Sequence, residues 1–306
     1  MRVDVHVPAT TSNLGPGFDA VGLALALCNH FEARVVDDPA QATLSVEGYG
    51  KAELAGQHDT AVHVGMRAAA QAMGRTLPPV ALTLRNDVPF GSGLGSSSTA
   101  LCGGLAMGRA LCGGDDDRDW LLHHACLLEG HPDNAAPCIL GGLVIAVHDP
   151  SAGRTMALPV ATPARLRCVV VTPDLALSTA TMRAALPRTL PLADVIAQGT
   201  HATLLGAALA LGRLDLLATA TRDRLHEDAR GAHIPGFAAV RAAGLAEGAL
   251  AVPISGAGPT MIALADADAD LQAIGTAMVA AFASADLGAT ARVLPPRAIG
   301  LEIAVR

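Results

Sequence analysis

The chain has 306 residues, a formal net charge of −7, 51% hydrophobic residues and 16% charged ones; this is core material for about two ordinary domains and the opposite of a disordered composition. Mean hydropathy is +0.40, but Ala and Gly inflate it, and Arg, Asp, Glu, Gly or Pro interrupts every apolar run before about 18 residues, which argues against a membrane-spanning helix. The acidic balance leaves no footprint for nucleic acid, and the amino terminus lacks the basic-then-apolar pattern of a secretion signal.

Residues 3–8 alternate apolar and polar, as a strand does. A Gly/Pro/Asn turn at 13–17 and an apolar segment at 20–27 follow, with strands expected at 31–36 and 42–47. Ala61, Val64, Ala68 and Ala72 recur at helical spacing and predict a helix over 60–74. A short strand at 81–84 leads into the Pro/Gly/Ser segment 89–98 and a helix over 97–111. A helix over 118–130 carries Trp120, Leu121, Leu122, Ala125, Leu127 and Leu128. It ends in the polar cluster 129–134, and a buried strand follows at 143–147. The turn-rich segment 149–165 reads as a domain boundary and divides the chain into 1–155 and 156–306. The second half reads as a strand at 167–171 and helices at 179–185, 193–212, 214–222 and 234–246. Strands at 249–254 and 260–264 flank a glycine turn, and a helix at 268–285 and strands at 290–294 and 300–305 complete the chain. Alternation with hairpin-like neighbours predicts an α+β fold rather than a doubly wound parallel sheet.

The six cysteines, Cys28, Cys102, Cys112, Cys126, Cys138 and Cys168, form no C-x-x-C pair and read as buried, reduced thiols. No Cys/His spacing suits zinc. Lys51 is the only lysine, so any mechanism that needs one has a single candidate.

Four segments carry chemistry. Pro89-Phe90-Gly91-Ser92-Gly93-Leu94-Gly95-Ser96-Ser97-Ser98-Thr99 joins a strand to a helix. Its glycines let backbone approach a ligand, and the free N–H groups of a helix start attract an anion. It is no Walker loop, because Ser96 stands where that motif has Lys, and no dinucleotide fingerprint, because it lies deep in the domain. Glu129-Gly130-His131-Pro132-Asp133-Asn134 places carboxylates, which suit Mg²⁺, in otherwise apolar sequence. Ser255-Gly256-Ala257-Gly258-Pro259-Thr260 is a glycine turn between strands. Pro8 to Asp19 is too irregular in Gly and Pro for a hairpin and presents Asn13 and Asp19. Each segment alone is also compatible with an ordinary cap or turn.

Together, PATTSNLGPGFD, GSGLGSSSTA, EGHPDNAAPCILGG and SGAGPT resemble the homoserine kinase family of the GHMP superfamily (galactokinase, homoserine kinase, mevalonate kinase, phosphomevalonate kinase). The resemblance runs from Val3 to the strand after Thr260. It implies a two-domain α+β fold, with an N-terminal domain like ribosomal protein S5 domain 2 and a ferredoxin-like C-terminal domain. It implies ATP and Mg²⁺ as cofactors, L-homoserine as substrate and O-phospho-L-homoserine as product, in threonine biosynthesis. Carried onto this sequence, it places the metal on Ser97 and Glu129 and the triphosphate along Pro89, Gly91, Gly93, Leu94, Gly95, Ser96, Ser97 and Ser98. It places homoserine among Asn13, Asp19, His131, Asp133, Asn134, Thr179, Arg183 and Arg230. Arg183 and Arg230 suit the carboxylate, since a guanidinium fork matches it; Asp19 suits the ammonium and Asn134 the hydroxyl. Arg222 and Arg224 stand close to Arg230 in sequence and compete for its assignment. No lysine falls in a matching motif, and phosphoryl transfer needs little early proton abstraction. Positioning by Asn134 is therefore expected over general base catalysis by Asp133. Asp59-Thr60 departs from the family at the adenine side, so no adenine contact is assigned. A cytoplasmic enzyme without nucleic-acid or membrane partners is expected, and a homodimer stays open.

Overall fold

The computed structural model describes residues 1–57 and 59–306. Its elements in chain order are β1 (Arg2–Asn13), β2 (Gly17–Val35), β3 (Leu44–Gly48), α1 (Ala61–Ala72), β4 (Val80–Asn86), α2 (Ser96–Leu111), α3 (Arg118–Glu129), α4 (Ala135–Leu140), β5 (Leu143–Asp149), β6 (Arg154–Val160), β7 (Leu166–Pro173), α5 (Thr179–Ala184), α6 (Leu192–Ala210), α7 (Leu217–Ala220), α8 (Glu227–Gly231), α9 (Phe237–Ala246), β8 (Met261–Asp266), α10 (Leu271–Ala283), β9 (Ala289–Val293) and β10 (Glu302–Val305).

Two sheets organise them. The larger runs β10-β1-β2-β4-β3, with β5 on the first half of β2 and β6 beyond β5; the smaller runs β8-β7-β9. β1 and β2 pair antiparallel from Arg2↔Arg34 to Asn13↔Gly17, with register shifts near Pro8 and Ser12. Such bulges re-aim the strand end, and they turn Thr10, Ser12 and Asn13 inward.

Three apolar cores hold the layers. The first lies between the large sheet and α1–α4 and contains Val5, Phe31, Met66, Leu82, Leu105 and Met107. The third packs α9 and α10 on the small sheet through Val169, Ile274, Met278 and Phe282. The second joins the halves, with Leu14, Leu23, Leu25 and Leu94 against Val170, Leu205, Leu209 and Leu264. At about 1.5–3 kcal/mol for each fully buried large aliphatic side chain, this shared core fixes the two halves against each other. The cleft between them is therefore part of the folded architecture.

The structure redraws several expected elements. The segments at 20–27 and 31–36 are one strand, β2, because each half finds its own partner, β5 or β4. The turn-rich segment 149–165 contains β6, so the division expected at 155/156 falls inside a strand of the first sheet. β10 also returns to that sheet beside β1. No strand forms over 249–254; Ala251 and Ile254 make only isolated bridges to β8. Instead α8, which was not expected, precedes this region. All six cysteines are free, and Cys28 and Cys112 are half-buried rather than buried. Among the described residues no helix is long and apolar enough to cross a membrane.

Candidate active site

A cavity of about 340 Å³ opens where the two sheets meet. Its floor is the start of α2. Gly95 caps the helix in the left-handed region, φ 70°, without a side-chain cap, and the N–H groups of Ser96, Ser97 and Ser98 have no partner among the described residues. Three free donors at the positive end of a helix form an anion cradle. The loop before it is locked to the glycine turn of the second half. Ser255 Oγ donates to Gly93 O at 2.8 Å, and Thr260 N donates to Ser92 O at 3.0 Å. A Cβ on Gly93, whose φ is +87°, would lie 2.3 Å from Ser255 O. Gly93→Ala should therefore separate the loop from the turn: thermal unfolding should shift down by several degrees, and nucleotide affinity should fall by about tenfold or more. Unchanged melting and unchanged nucleotide binding would contradict the locked loop.

One wall is the Glu129–Asn134 segment. α3 ends at Gly130, φ 83°, which turns the chain into the cavity. Glu129 Oε1 accepts from Ser98 Oγ at 2.7 Å, while Oε2 is buried without a partner among the described residues. Burial pushes the Glu129 carboxyl up to about 7, against the Ser98 hydrogen bond and the His131 charge. His131 Nδ1 and Asp133 Oδ1 are 2.6 Å apart. Asp133 is 2% exposed; burial acts to raise its pKa, but the His131 hydrogen bond and charge prevail and hold the carboxyl below its usual range. The same pairing outweighs burial at His131 and raises its pKa.

Asn134 is a hub. Its Oδ1 accepts from Thr10 Oγ1 at 2.8 Å, and its Nδ2 donates to Ser12 Oγ at 3.0 Å and Asp133 Oδ1 at 3.3 Å. Both amide hydrogens are thus used, and Oδ1 keeps one lone pair.

The opposite wall is cationic. Arg183, in the last turn of α5, makes a two-pronged ion pair with Asp19 at 2.8 and 3.0 Å. Both side chains are partly exposed, so the pair is weak and can open. Arg230, on α8, is 2% exposed and has no carboxylate within 4.0 Å among the described residues. Its Nη1 donates to Gly256 O at 2.9 Å and contacts His226 Nδ1 at 3.3 Å, and its buried Nε has no partner among the described residues. Desolvation lowers its pKa.

The cavity thus gathers Asn13, Asp19, Glu129, His131, Asp133, Asn134, Thr179, Arg183 and Arg230 with Gly91, Gly93, Gly95 and the three serines. Pro89 and Leu94, expected along the triphosphate, do not line it. Pro89 O accepts Ser92 Oγ, and Leu94 is buried in the core between the sheets. Ser97 is exposed at the mouth; the hydroxyl that meets Glu129 belongs to Ser98. Asn13 ties the loop together: Nδ2 donates to Gly256 O and Oδ1 accepts Asp19 N. Asn13, Leu14 and Asp19 all have positive φ, 70°, 49° and 54°, a strained path that those hydrogen bonds hold. Thr10, Ser12 and Gly256 were not assigned to the site, though Thr10 and Ser12 stand in the T-T-S run before Asn13 and Gly256 in the glycine turn at 255–260.

A second, mostly apolar cavity of about 260 Å³ meets the first at Gly91, Ser96 and Ser97. Leu54, Val62, Leu84, Phe90 and Asn86 line it, with Thr60. The Thr60 hydroxyl is engaged in capping α1 with His63.

Comparison with known proteins gives the same family from two directions. The family described as GHMP kinases N terminal domain matches residues 59–142, and GHMP kinases C terminal matches residues 203–284. A homoserine kinase of Thermus thermophilus is 41% identical over 263 residues, covering 86% of this chain and 87% of that protein. One from Synechococcus is 38% identical over 99% of this chain and 98% of that protein. The crystal structure of homoserine kinase from Cytophaga hutchinsonii superposes with a TM-score of 0.86 at 28% identity, covering 99% of this chain and 97% of that one. The chain belongs to the GHMP kinases and, within them, to the homoserine kinase family.

Proposed function

We propose that the chain transfers the γ-phosphoryl group of ATP to the hydroxyl of L-homoserine, giving ADP and O-phospho-L-homoserine in threonine biosynthesis, in the cytoplasm. One observation carries the choice of acceptor: the buried Arg230 guanidinium lines the cavity with no carboxylate of its own. Nη1 is occupied and Nε is not, so the free Nε–Nη2 edge suits a ligand carboxylate. Asp19, once parted from Arg183, offers a partner for the substrate ammonium. Galactose lacks both groups, and mevalonate lacks the ammonium.

Adenine and ribose fit the apolar cavity under Phe90, with the triphosphate on the α2 cradle. Glu129 Oε2, a buried carboxylate oxygen without a partner, fits a hard cation, so Glu129 with Ser98 or Ser97 would hold Mg²⁺. Bound there, Mg²⁺ would neutralise charge on the β- and γ-phosphates. The free lone pair on Asn134 Oδ1 accepts the acceptor's O–H and aims its oxygen at phosphorus. Asp133 is held low by His131, which makes it a poor base, so positioning supports transfer better than proton abstraction.

ADP release measured with homoserine, mevalonate, galactose and shikimate, with and without Mg²⁺, tests this reading; turnover that does not favour homoserine would overturn it. Arg230→Lys keeps the charge but loses the planar edge. Its KM for homoserine should rise about tenfold or more, with KM for ATP little changed. Equal shifts in both constants would remove Arg230 from the acceptor site.

A further inference from the structure

Behind Arg230 lies a histidine that no sequence motif marks. His226 is 0% exposed. Asp223 seats it from the backbone side, its Oδ2 accepting the N–H groups of Leu225, His226 and Glu227 at 2.9, 2.6 and 2.8 Å. Nε2 of the ring is 2.9 Å from Gly15 O, and Nδ1 is 3.3 Å from Arg230 Nη1. Chemistry fixes the tautomer. A carbonyl oxygen can only accept, so Nε2 carries the hydrogen; a guanidinium can only donate, so Nδ1 is the bare acceptor. The charged imidazolium would turn Nδ1–H against the arginine. Burial lowers the pKa of His226 against the pull of Asp223, whose Oδ1 lies 3.6 Å from Nε2, and favours the same neutral form.

Two further contacts complete the arrangement. Gly256 O takes the other Nη1 hydrogen of Arg230. The Phe18 ring lies 5.1 Å from Arg230 Cζ, 5.5 Å from Arg183 Cζ and 5.2 Å from the His226 ring centroid. Nη1 is thus held by two acceptors, and the rotation of the planar group about its long axis is set by where they lie. Without His226, one hydrogen bond to Gly256 O and the Phe18 contact would hold the plane less firmly than the two bonds together.

We infer that His226, as the neutral Nε2–H tautomer, is a positioning residue that fixes the guanidinium plane of Arg230 and so presents its Nε–Nη2 edge to the acceptor's carboxylate. The role rests on the carboxylate reading of Arg230, and the experiment separates the two. Asn at 226 places an amide oxygen where Nδ1 stands and loses the bond to Gly15. Gln places its amide near Nε2 and loses the bond to Arg230. His226→Gln should raise KM for homoserine about tenfold, with KM for ATP within about twofold, and His226→Asn should recover most of that loss. Arg230→Ala, measured alongside, should raise KM for homoserine at least as much as His226→Gln. A large Arg230→Ala effect with the two histidine variants alike, with Asn the worse, or with both failing to fold, overturns the positioning role alone. An unchanged KM for homoserine in Arg230→Ala overturns the carboxylate reading and the role of His226 with it.

Discussion

Replacing Glu129 by Gln should lower kcat by about 10²–10⁴-fold while leaving the fold intact, because it removes the carboxylate proposed to hold a cation beside the start of α2. Oε1 accepts from Ser98, a bond that an amide oxygen can keep, so the loop need not rearrange. Oε2 has no partner, so what is lost is charge and not a structural contact. The effect on stability has the opposite sign. Burial raises the folded-state pKa of Glu129 from 4.5 to about 7, so between those values the folded protein holds a proton that the unfolded chain has released. Stability therefore falls as pH rises through that window, and Glu129→Gln removes this slope. The variant should melt no lower than the parent at pH 8, and it should need more Mg²⁺ for half-maximal turnover. A folded variant with near-parental turnover at low Mg²⁺ would remove Glu129 from the metal site.

The parts of this site visible in sequence are those where a residue type is rare in its surroundings. Three serines after glycines, or Glu-x-His-x-Asp-Asn after an apolar helix, stand out because burial usually excludes them. Pairings do not stand out. Thr10 and Asn134 are 124 residues apart, and Arg183 and Asp19 are 164 apart; only the β1 bulges and the α5 docking bring them together. Nor does sequence separate Arg230 from Arg222 and Arg224. The distinction is burial: Arg230 is buried while Arg222 and Arg224 are exposed, and that depends on α8, a five-residue helix too short for a periodic signal. The fold shows the same division. Long periodic segments such as α2, α3 and α10 are legible from spacing. β6 is hidden in residues of turn type, whereas β10 matches the strand expected at 300–305 and only its partner, at the other end of the chain, is hidden. Its pairing with β1 makes the amino-terminal sheet discontinuous in sequence, which no local composition change records.

The proposed division of labour between Asn134 and Asp133 leads to a sharper expectation. Asn134→Ala removes three hydrogen bonds at once, to Thr10, Ser12 and Asp133, and with them the oxygen proposed to orient the acceptor hydroxyl. A misplacement of about 1 Å can cost on the order of 10²-fold, so kcat should fall by about that factor with little change in ATP binding. Asp133→Asn tests the alternative within the same ring of hydrogen bonds. Its amide oxygen can still accept from His131 and Asn134, so the geometry survives and only the charge goes. Under positioning it should keep turnover within about tenfold; under base catalysis it should lose about 10²–10⁴-fold and flatten the acidic limb of the pH–kcat profile. The structure favours the first outcome, because a carboxylate that His131 holds below the usual range has little affinity for a further proton at neutral pH. Asp19, His131 and Asp133 bring polar atoms within 4.8 Å of one another. The charge of Asp133 is already balanced by His131, so the ring gains little by taking the substrate's proton. Under the positioning proposal it would hold the hydroxyl still while the start of α2 and a cation at Glu129 would absorb the charge of the transferring group. A large loss in Asp133→Asn together with a flattened acidic limb would reverse the assignment and make Asp133 the base.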